Sequence, residues 1–175
     1  MSLPLTTAVR QNRLRMPAWP EPVERVSAVL KAAAVDARIE EFPEGTPTAK
    51  DAAAAIGCEL SQIVKSLVLV CDGAFVLALV PGDRRLDESA VASALPAAEV
   101  RIARPEEVVR ATGFEPGAVA PFPQRAVTQT VMDKDFFRYQ LVWIGAGSPT
   151  HMAVLPPGEL KRLARASTID LVSHG

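Results

Sequence analysis

Apolar positions recur along the chain in two different periods. Between Pro22 and Ala34, Val23, Val26, Val29 and Leu30 return at near-helical spacing behind a proline suited to a first helical turn, and this predicts an amphipathic first helix. From Asp36 to Phe42 the period falls to about two, with Ala37, Ile39 and Phe42 set against Arg38, Glu40 and Glu41, as in a half-buried strand. The loop Pro43-Glu44-Gly45-Thr46-Pro47 ends it, and Thr48 is placed to cap a short alanine-rich helix from Lys50 to Ile56 that Gly57 stops. Two further runs, Val64 to Cys71 and Ala74 to Val80, are apolar at nearly every position, and Asp72-Gly73 between them is a strong hairpin signal. Strands without a polar face have no wet side. The hairpin is therefore expected at the centre of a sheet covered on both faces.

The second half of the chain alternates turn signals with short elements. Pro81-Gly82-Asp83 reads as a turn, Asp87 as the cap of a helix through Ala94, and Val100 to Ala103 as a short strand. Pro105 opens a helix to Ala111 that Gly113 ends, and the stretch Phe114 to Pro123 is too rich in Gly and Pro for either regular structure. Strands are predicted over Ala126 to Met132 and Tyr139 to Ile144, a connection over Gly145-Ala146-Gly147-Ser148-Pro149, and a short strand from His151 to Leu155. Pro157 starts a last helix whose apolar face is Leu160, Leu163 and Ala164. Hairpins mixed with helical crossovers predict a single α+β domain with a curved, mixed, barrel-like sheet flanked by helices. Residues 1–21, with Arg10, Arg13 and Arg15 but little periodicity, read as an N-terminal arm, and residues 22–175 as the domain.

Composition narrows the function classes. With 175 residues, 49% hydrophobic and 22% charged, the chain can bury one ordinary core and is not a disordered segment. No apolar run approaches the roughly 20 residues of a spanning helix, so no membrane partner is expected. A net charge of −1 and a pI near 6.1 give no cationic excess to hold a long nucleic acid by counterion release. DNA is not expected as a partner, and an RNA would have to be gripped locally. Cys58 and Cys71 form neither a CxxC pair nor a Cys/His cluster, so metal and redox readings lose support and no cofactor is expected. Without a signal-peptide pattern or disulfide framework, the expected compartment is the reducing cytoplasm.

Three features could carry chemistry. Lys65 stands at the mouth of an apolar strand, where its ammonium must reach water, a carboxylate or an anionic ligand. It is either a strand-end lysine snorkelling to solvent or an anchoring charge. Gly117-x-x-x-Pro121 lies inside the Gly-Pro loop, where glycine permits close backbone approach to a ligand and proline holds shape; a connecting loop is the alternative. His151 could orient a water or bond a substrate, or simply bond backbone at a strand start. Asp133 and Asp135 look like a turn or cap, Arg84 and Arg85 like a solvated turn, Cys58 and Cys71 like packing residues, and His174 like part of a frayed tail.

Taken in order, the segments Thr48 to Ala53, Gln62 to Leu67, Gly113 to Pro121, Thr130 to Asp133 and Gly145-Ala146-Gly147 resemble the YbaK/prolyl-tRNA-synthetase-associated family of editing domains, over about Val23 to Ala166. The resemblance implies a hydrolase that cleaves the ester between a wrong small amino acid and the 3′ adenosine of a tRNA, most of all tRNA(Pro). It implies that Lys65 anchors the aminoacyl-adenosine end and that the loop with Gly117 and Pro121 holds the substrate through its backbone. Ala118, Val119 and Ala120 of that loop, with Ser66, Gly147 and His151, are the implied substrate-binding positions, His151 shaping amino-acid selectivity. Family members are thought to use substrate-assisted hydrolysis, which fits a sequence offering neither a triad nor a metal cluster. The implied partners are the aminoacyl-tRNA acceptor end and prolyl-tRNA synthetase or another synthetase, with no anticodon-reading module expected. A catalytically idle module of the same fold, sequestering aminoacyl-tRNA or an aminoacyl-adenosine-like ligand, is the alternative. A cysteine-nucleophile hydrolase, with Cys58 or Cys71 near His151, is a third.

Overall fold

In the computed structural model, residues 19–172 are described. The first helix, α1 (Glu21–Ala32), carries Pro22 in its first turn and buries Val23, Val26 and Leu30 on one side. Strand β1 (Arg38–Glu41) is shorter than the alternation suggested. Helix α2 (Ala49–Ile56) is capped by Thr48, whose hydroxyl accepts the Asp51 N–H, and ends at Gly57 with φ +80°. The hairpin β2 (Val64–Cys71) and β3 (Ala74–Pro81) pairs through its whole length across Asp72-Gly73. Helix α3 (Glu88–Ala94), capped by Asp87, precedes β4 (Val100–Ile102) and α4 (Pro105–Thr112), which closes at Gly113. Then follow β5 (Val127–Asp133), a 3-10 turn (Lys134–Arg138), β6 (Val142–Ser148), β7 (His151–Leu155), α5 (Pro157–Ala164) and β8 (Ala166–Ile169).

The domain is α+β, and among the described residues its strands form two sheets and no closed barrel. One is antiparallel, in the order β1-β7-β6; the other is mixed, in the order β4-β2-β3-β5-β8. A parallel bridge between Ile63 and Trp143 joins them at one corner. Between them lies the main core, where Val64, Val68, Leu77 and Leu79 meet α1, α5, β6, β7, Phe114 and Phe122. The opposite face of the β2-β3 hairpin packs Leu69, Ala78 and Val80 against Val91 of α3 and against Leu171 and Val172. Both faces of the hairpin are thus covered, as its unbroken apolar runs require. A third cluster holds α2 through Ala52 and Ala53 to Ile63, Trp143, Met152 and Val154.

Two strands depart from the sequence pattern. Strand β6 starts at Val142, after the 3-10 turn and Tyr139, and runs on through Gly145-Ala146-Gly147. Those small residues are strand because other backbone lies directly on them: a Cβ on Gly145 would stand 2.7 Å from the Val119 carbonyl oxygen, and one on Gly147 2.7 Å from that of Pro22. Strand β8, which no pattern announced, pairs parallel with β5 from Ala166 opposite Thr130 to Ile169 opposite Asp133. Of the arm at residues 1–21, Trp19 to Glu21 are described; the remainder, with Arg10, Arg13 and Arg15, lies outside the described residues, as does His174.

Candidate active site

Where the two sheets part, a cavity of about 430 Å³ opens. Its floor is Ile63 and the start of β2 as far as Leu67; Ala49 and Ala52 of α2 form one wall, and Gly145, Ser148, His151 and Met152 of the antiparallel sheet form another. Gly117 and Val119 close it from the Gly-Pro loop. Lys65, Ser66, Gly117, Val119 and His151 therefore share one space, although they come from segments up to 86 residues apart.

Lys65 is half-buried, and its ammonium donates to the carbonyl of Arg84 in the turn after β3. That turn is pressed against β2: Gly82 N–H donates to Ile63 O at 2.8 Å, and a Cβ on Gly82 would fall 2.5 Å from the Leu60 carbonyl oxygen. No side chain fits there. Burial pushes the Lys65 ammonium below its ordinary value, with the Asp83 charge opposing the shift and Arg85 adding to it. The ammonium is held by a neutral carbonyl, which leaves its charge available to an anion. Beside it, the Ser66 hydroxyl is buried with no hydrogen-bond partner.

The Gly-Pro loop presents alternate residues to the cavity. Gly117 stands at φ +83° with nothing within 4 Å of a would-be Cβ. Ala118 and Ala120 turn into the core; Ala118 N–H is committed to Glu115 O at 3.0 Å, and Ala120 O accepts from Gln124 at 2.7 Å. Pro121 faces another groove, of about 450 Å³, with Val29, Gln124 and Val127. Gly147 packs on the entry to α1, away from the cavity lining.

His151 is almost fully buried at the strand start. Its Nδ1 lies 2.5 Å from Ser148 Oγ and 3.0 Å from Thr150 Oγ1, and the Trp19 ring meets its ring edge-on at 5.2 Å between centroids. The tryptophan that covers it, 132 residues away in the chain, leaves no mark in the sequence around His151. Only the cluster of Ser148 and Thr150 around the histidine offered a signal.

The weaker candidates lie elsewhere. Asp133 is a buried cap: its carboxylate accepts from Asp135 N–H and Leu171 N–H, each at 2.9 Å. Cys71 belongs to the core under α3 and Cys58 packs beside α2; burial pushes both thiols up, and neither lines the cavity. Arg84 contributes its carbonyl rather than its guanidinium, which lies 3.9 Å from Asp83. Among the described residues, no group of three or more His, Cys, Asp or Glu side chains could hold a metal ion, and no helix is long and apolar enough to cross a membrane.

The sequence profile of the aminoacyl-tRNA editing domain matches residues 43–163, a stretch that contains every wall of this cavity. The chain belongs to that family. The editing domain is 32% identical to the Bacillus subtilis protein YwhH over 127 residues, 72% of this chain and 80% of that one. It is 38% identical over 89 residues to a proline–tRNA ligase of Geobacter sp. strain M21, a match covering 51% of this chain and only 16% of the ligase. Among solved structures, one described as a candidate trans-editing enzyme for prolyl tRNA synthetase superposes with a TM-score of 0.83 at 35% identity, covering 89% of this chain and 99% of that one. The match thus spans most of YwhH and of the solved chain but only a small part of the ligase.

Proposed function

We propose that this editing domain works in trans as a deacylase, hydrolysing the ester between a small amino acid and the 3′ end of tRNA, with tRNA(Pro) as the preferred carrier. The observation that carries the reading is the half-buried Lys65 ammonium, hydrogen-bonded to a carbonyl, in a cavity that also contains Gly117 and His151. A positive charge desolvated in this way suits the phosphate or ester oxygens of an aminoacyl-adenosine end. Lys65 anchors that end, Gly117 allows it to approach the loop backbone, and Ser66 and His151 border the amino-acid side chain. The cavity has room for an aminoacyl group and part of its adenosine, so the acceptor end is the part of the tRNA that enters.

The hydroxyl–imidazole pair that lines the cavity, Ser148 with His151, is already engaged: Thr150 Oγ1 shares His151 Nδ1, Thr150 N–H donates to Ser148 Oγ, and both thiols are elsewhere. The reaction therefore draws on the substrate: the adenosine 2′-hydroxyl helps activate the water, and the protein supplies position and charge. The enzyme is metal-independent, works in the cytoplasm and meets its substrate alone or beside prolyl-tRNA synthetase. A panel of mischarged tRNAs tests this. Turnover of at least one small aminoacyl-tRNA(Pro), undiminished by prolonged chelation, is expected, and Lys65→Ala should lower kcat/KM roughly ten- to a hundredfold, the loss of one charge-assisted contact. Absence of turnover across the panel would sink the proposal.

The engagement of His151 Nδ1 by Ser148 and Thr150 also favours a second reading, a module that binds aminoacyl-tRNA without cleaving it. Tight binding of the same tRNAs with no deacylation over hours would establish it.

A further inference from the structure

The backbone of β2 leaves one rung of its ladder open, and it opens into the cavity. Odd-numbered residues of β2 exchange hydrogen bonds with β3: Gly82 N–H donates to Ile63 O, and Lys65 stands opposite Val80 in the same register. Even-numbered residues face the other edge: Ala103 N–H donates to Val68 O at 2.9 Å, and Val70 stands opposite Arg101 of β4. The alternation of an antiparallel ladder sends the N–H and C=O of Val64 and Ser66 to that same edge. Beyond Ala103 the chain turns away into α4 at Pro105. From the other direction β6 reaches this edge at a single parallel bridge, Ile63 opposite Trp143. The next parallel rung would set Gly145 opposite Lys65; it is not formed, and Lys65, Ser66 and Gly145 line the cavity instead.

A residue completing that rung would donate its N–H to Val64 O and accept the Ser66 N–H on its carbonyl. An aminoacyl ester carries the same two groups on the same three-atom frame, an α-ammonium and a carbonyl. We propose that the aminoacyl group of the substrate fills this rung as one more strand residue, its carbonyl oxygen on Ser66 N–H and its α-ammonium on Val64 O. The unpartnered Ser66 hydroxyl, buried at the same position, is a second sign of a ligand there. The inference rests on the editing reading above and adds the group that receives the developing charge. When water attacks the carbonyl carbon, the C=O π pair moves to oxygen, and Ser66 N–H holds that oxyanion. On collapse the bond to the 3′ oxygen breaks, that oxygen takes a proton originating from the water, and free amino acid and a 3′-hydroxyl leave. Ala118 N–H, tied to Glu115 O, is not available for this task.

The substrate side of the rung is tested with two non-hydrolysable probes, 3′-alanylamino-3′-deoxyadenosine and its 3′-propionylamino counterpart, which lacks only the α-amino group. The alanyl probe should bind the wild-type chain at least tenfold more tightly by calorimetry; equal affinities would overturn the inference, as would failure of both to bind. The protein side is tested with Ser66→Pro, which deletes the N–H on an edge β3 does not use, read against Ser66→Ala, which keeps it. Relative to Ser66→Ala, the proline variant should lose about 10²–10³ in kcat, the scale of one oxyanion donor, with a smaller change in KM. Equal kcat in two folded variants would overturn the oxyanion role, and if the proline variant does not fold, the probe pair decides. If the wild-type chain discriminates the probes yet cleaves no aminoacyl-tRNA, the deacylase reading falls and the open rung stands.

Discussion

Lys65 and Gly117 show what a single residue contributes to this cavity. Burial lowers the affinity of Lys65 for its proton, while the anchoring role needs the charged form. Affinity for the 3′-propionylamino-3′-deoxyadenosine probe, which has no amine of its own to titrate, should therefore fall as pH rises through a value below the ordinary lysine figure of about 10.4. Lys65→Arg should abolish that alkaline limb, because a guanidinium stays charged, and a limb unchanged in the arginine variant would assign it to another group. Gly117 acts through conformation: at φ +83° a side chain is strained by about 1–2 kcal/mol whatever the space around it. Gly117→Ala and Gly117→Val should both lose a few degrees in melting temperature, roughly 2–4 °C per kcal/mol at this size. Only valine fills the cavity mouth, so kcat/KM should fall well below that of the alanine variant; equal kinetics would make the loop a connector.

At the scale of elements, what the sequence discloses depends on where the deciding partner lies. Helices α2, α4 and α5 and the β2-β3 hairpin are set by local features, a capping threonine, prolines at first turns, glycines at helix ends and an Asp-Gly turn, and these are legible in order. The extension of β6 over Gly145 to Ser148 depends on the Val119 and Pro22 carbonyls, and β8 on β5; both partners are distant in sequence. The same division runs through the candidate site. Lys65, Gly117 and His151 stand out as chemically odd letters in their segments, whereas the Val64 carbonyl and Ser66 N–H belong to the backbone, which has no letter. Glu107 is a further case. In α4 it is almost fully buried, accepting both guanidinium arms of Arg101 from β4 at 2.9 Å and the Arg104 N–H at 2.9 Å. Arg101 first, then the Arg104 N–H, hold its carboxyl far below the usual carboxylate range. A depressed folded-state value contributes stability that is present above the unfolded value near 4.3 and lost as pH falls below it. Unfolding midpoints between pH 5 and pH 2 should therefore fall more steeply for the wild-type chain than for Glu107→Gln, and parallel profiles would remove the clamp between β4 and α4 from the account of acid stability.

For the whole molecule, the consequence of two sheets in place of one closed barrel is a cleft that ligand can bridge. The sheets share a core at one end and a single Ile63–Trp143 bridge at the corner beside the cavity, whose walls come from both. A sequence pattern could predict strands and a mixed sheet, but closure or separation is decided by which edges meet, and β6 meets β2 for only one rung. A ligand seated between the sheets binds the folded state and has no site in the unfolded chain, so it stabilises by RT ln(1 + [L]/Kd), about 2.7 kcal/mol at a hundredfold excess over Kd. For a chain of this size that corresponds to roughly 5–11 °C. The 3′-alanylamino-3′-deoxyadenosine probe at a hundred times its Kd should raise the melting temperature by this amount, and Lys65→Ala at the same probe concentration should show a much smaller rise, because its weaker affinity lowers [L]/Kd. The shift should be accompanied by slower amide exchange in β6 and in residues 63–67 on either side of the cleft, with the far edge at β8 little changed beyond the global stabilisation. A probe that raised the melting temperature while protecting β8 and the groove around Pro121 instead would place its binding site there and detach the cavity from the function proposed for it.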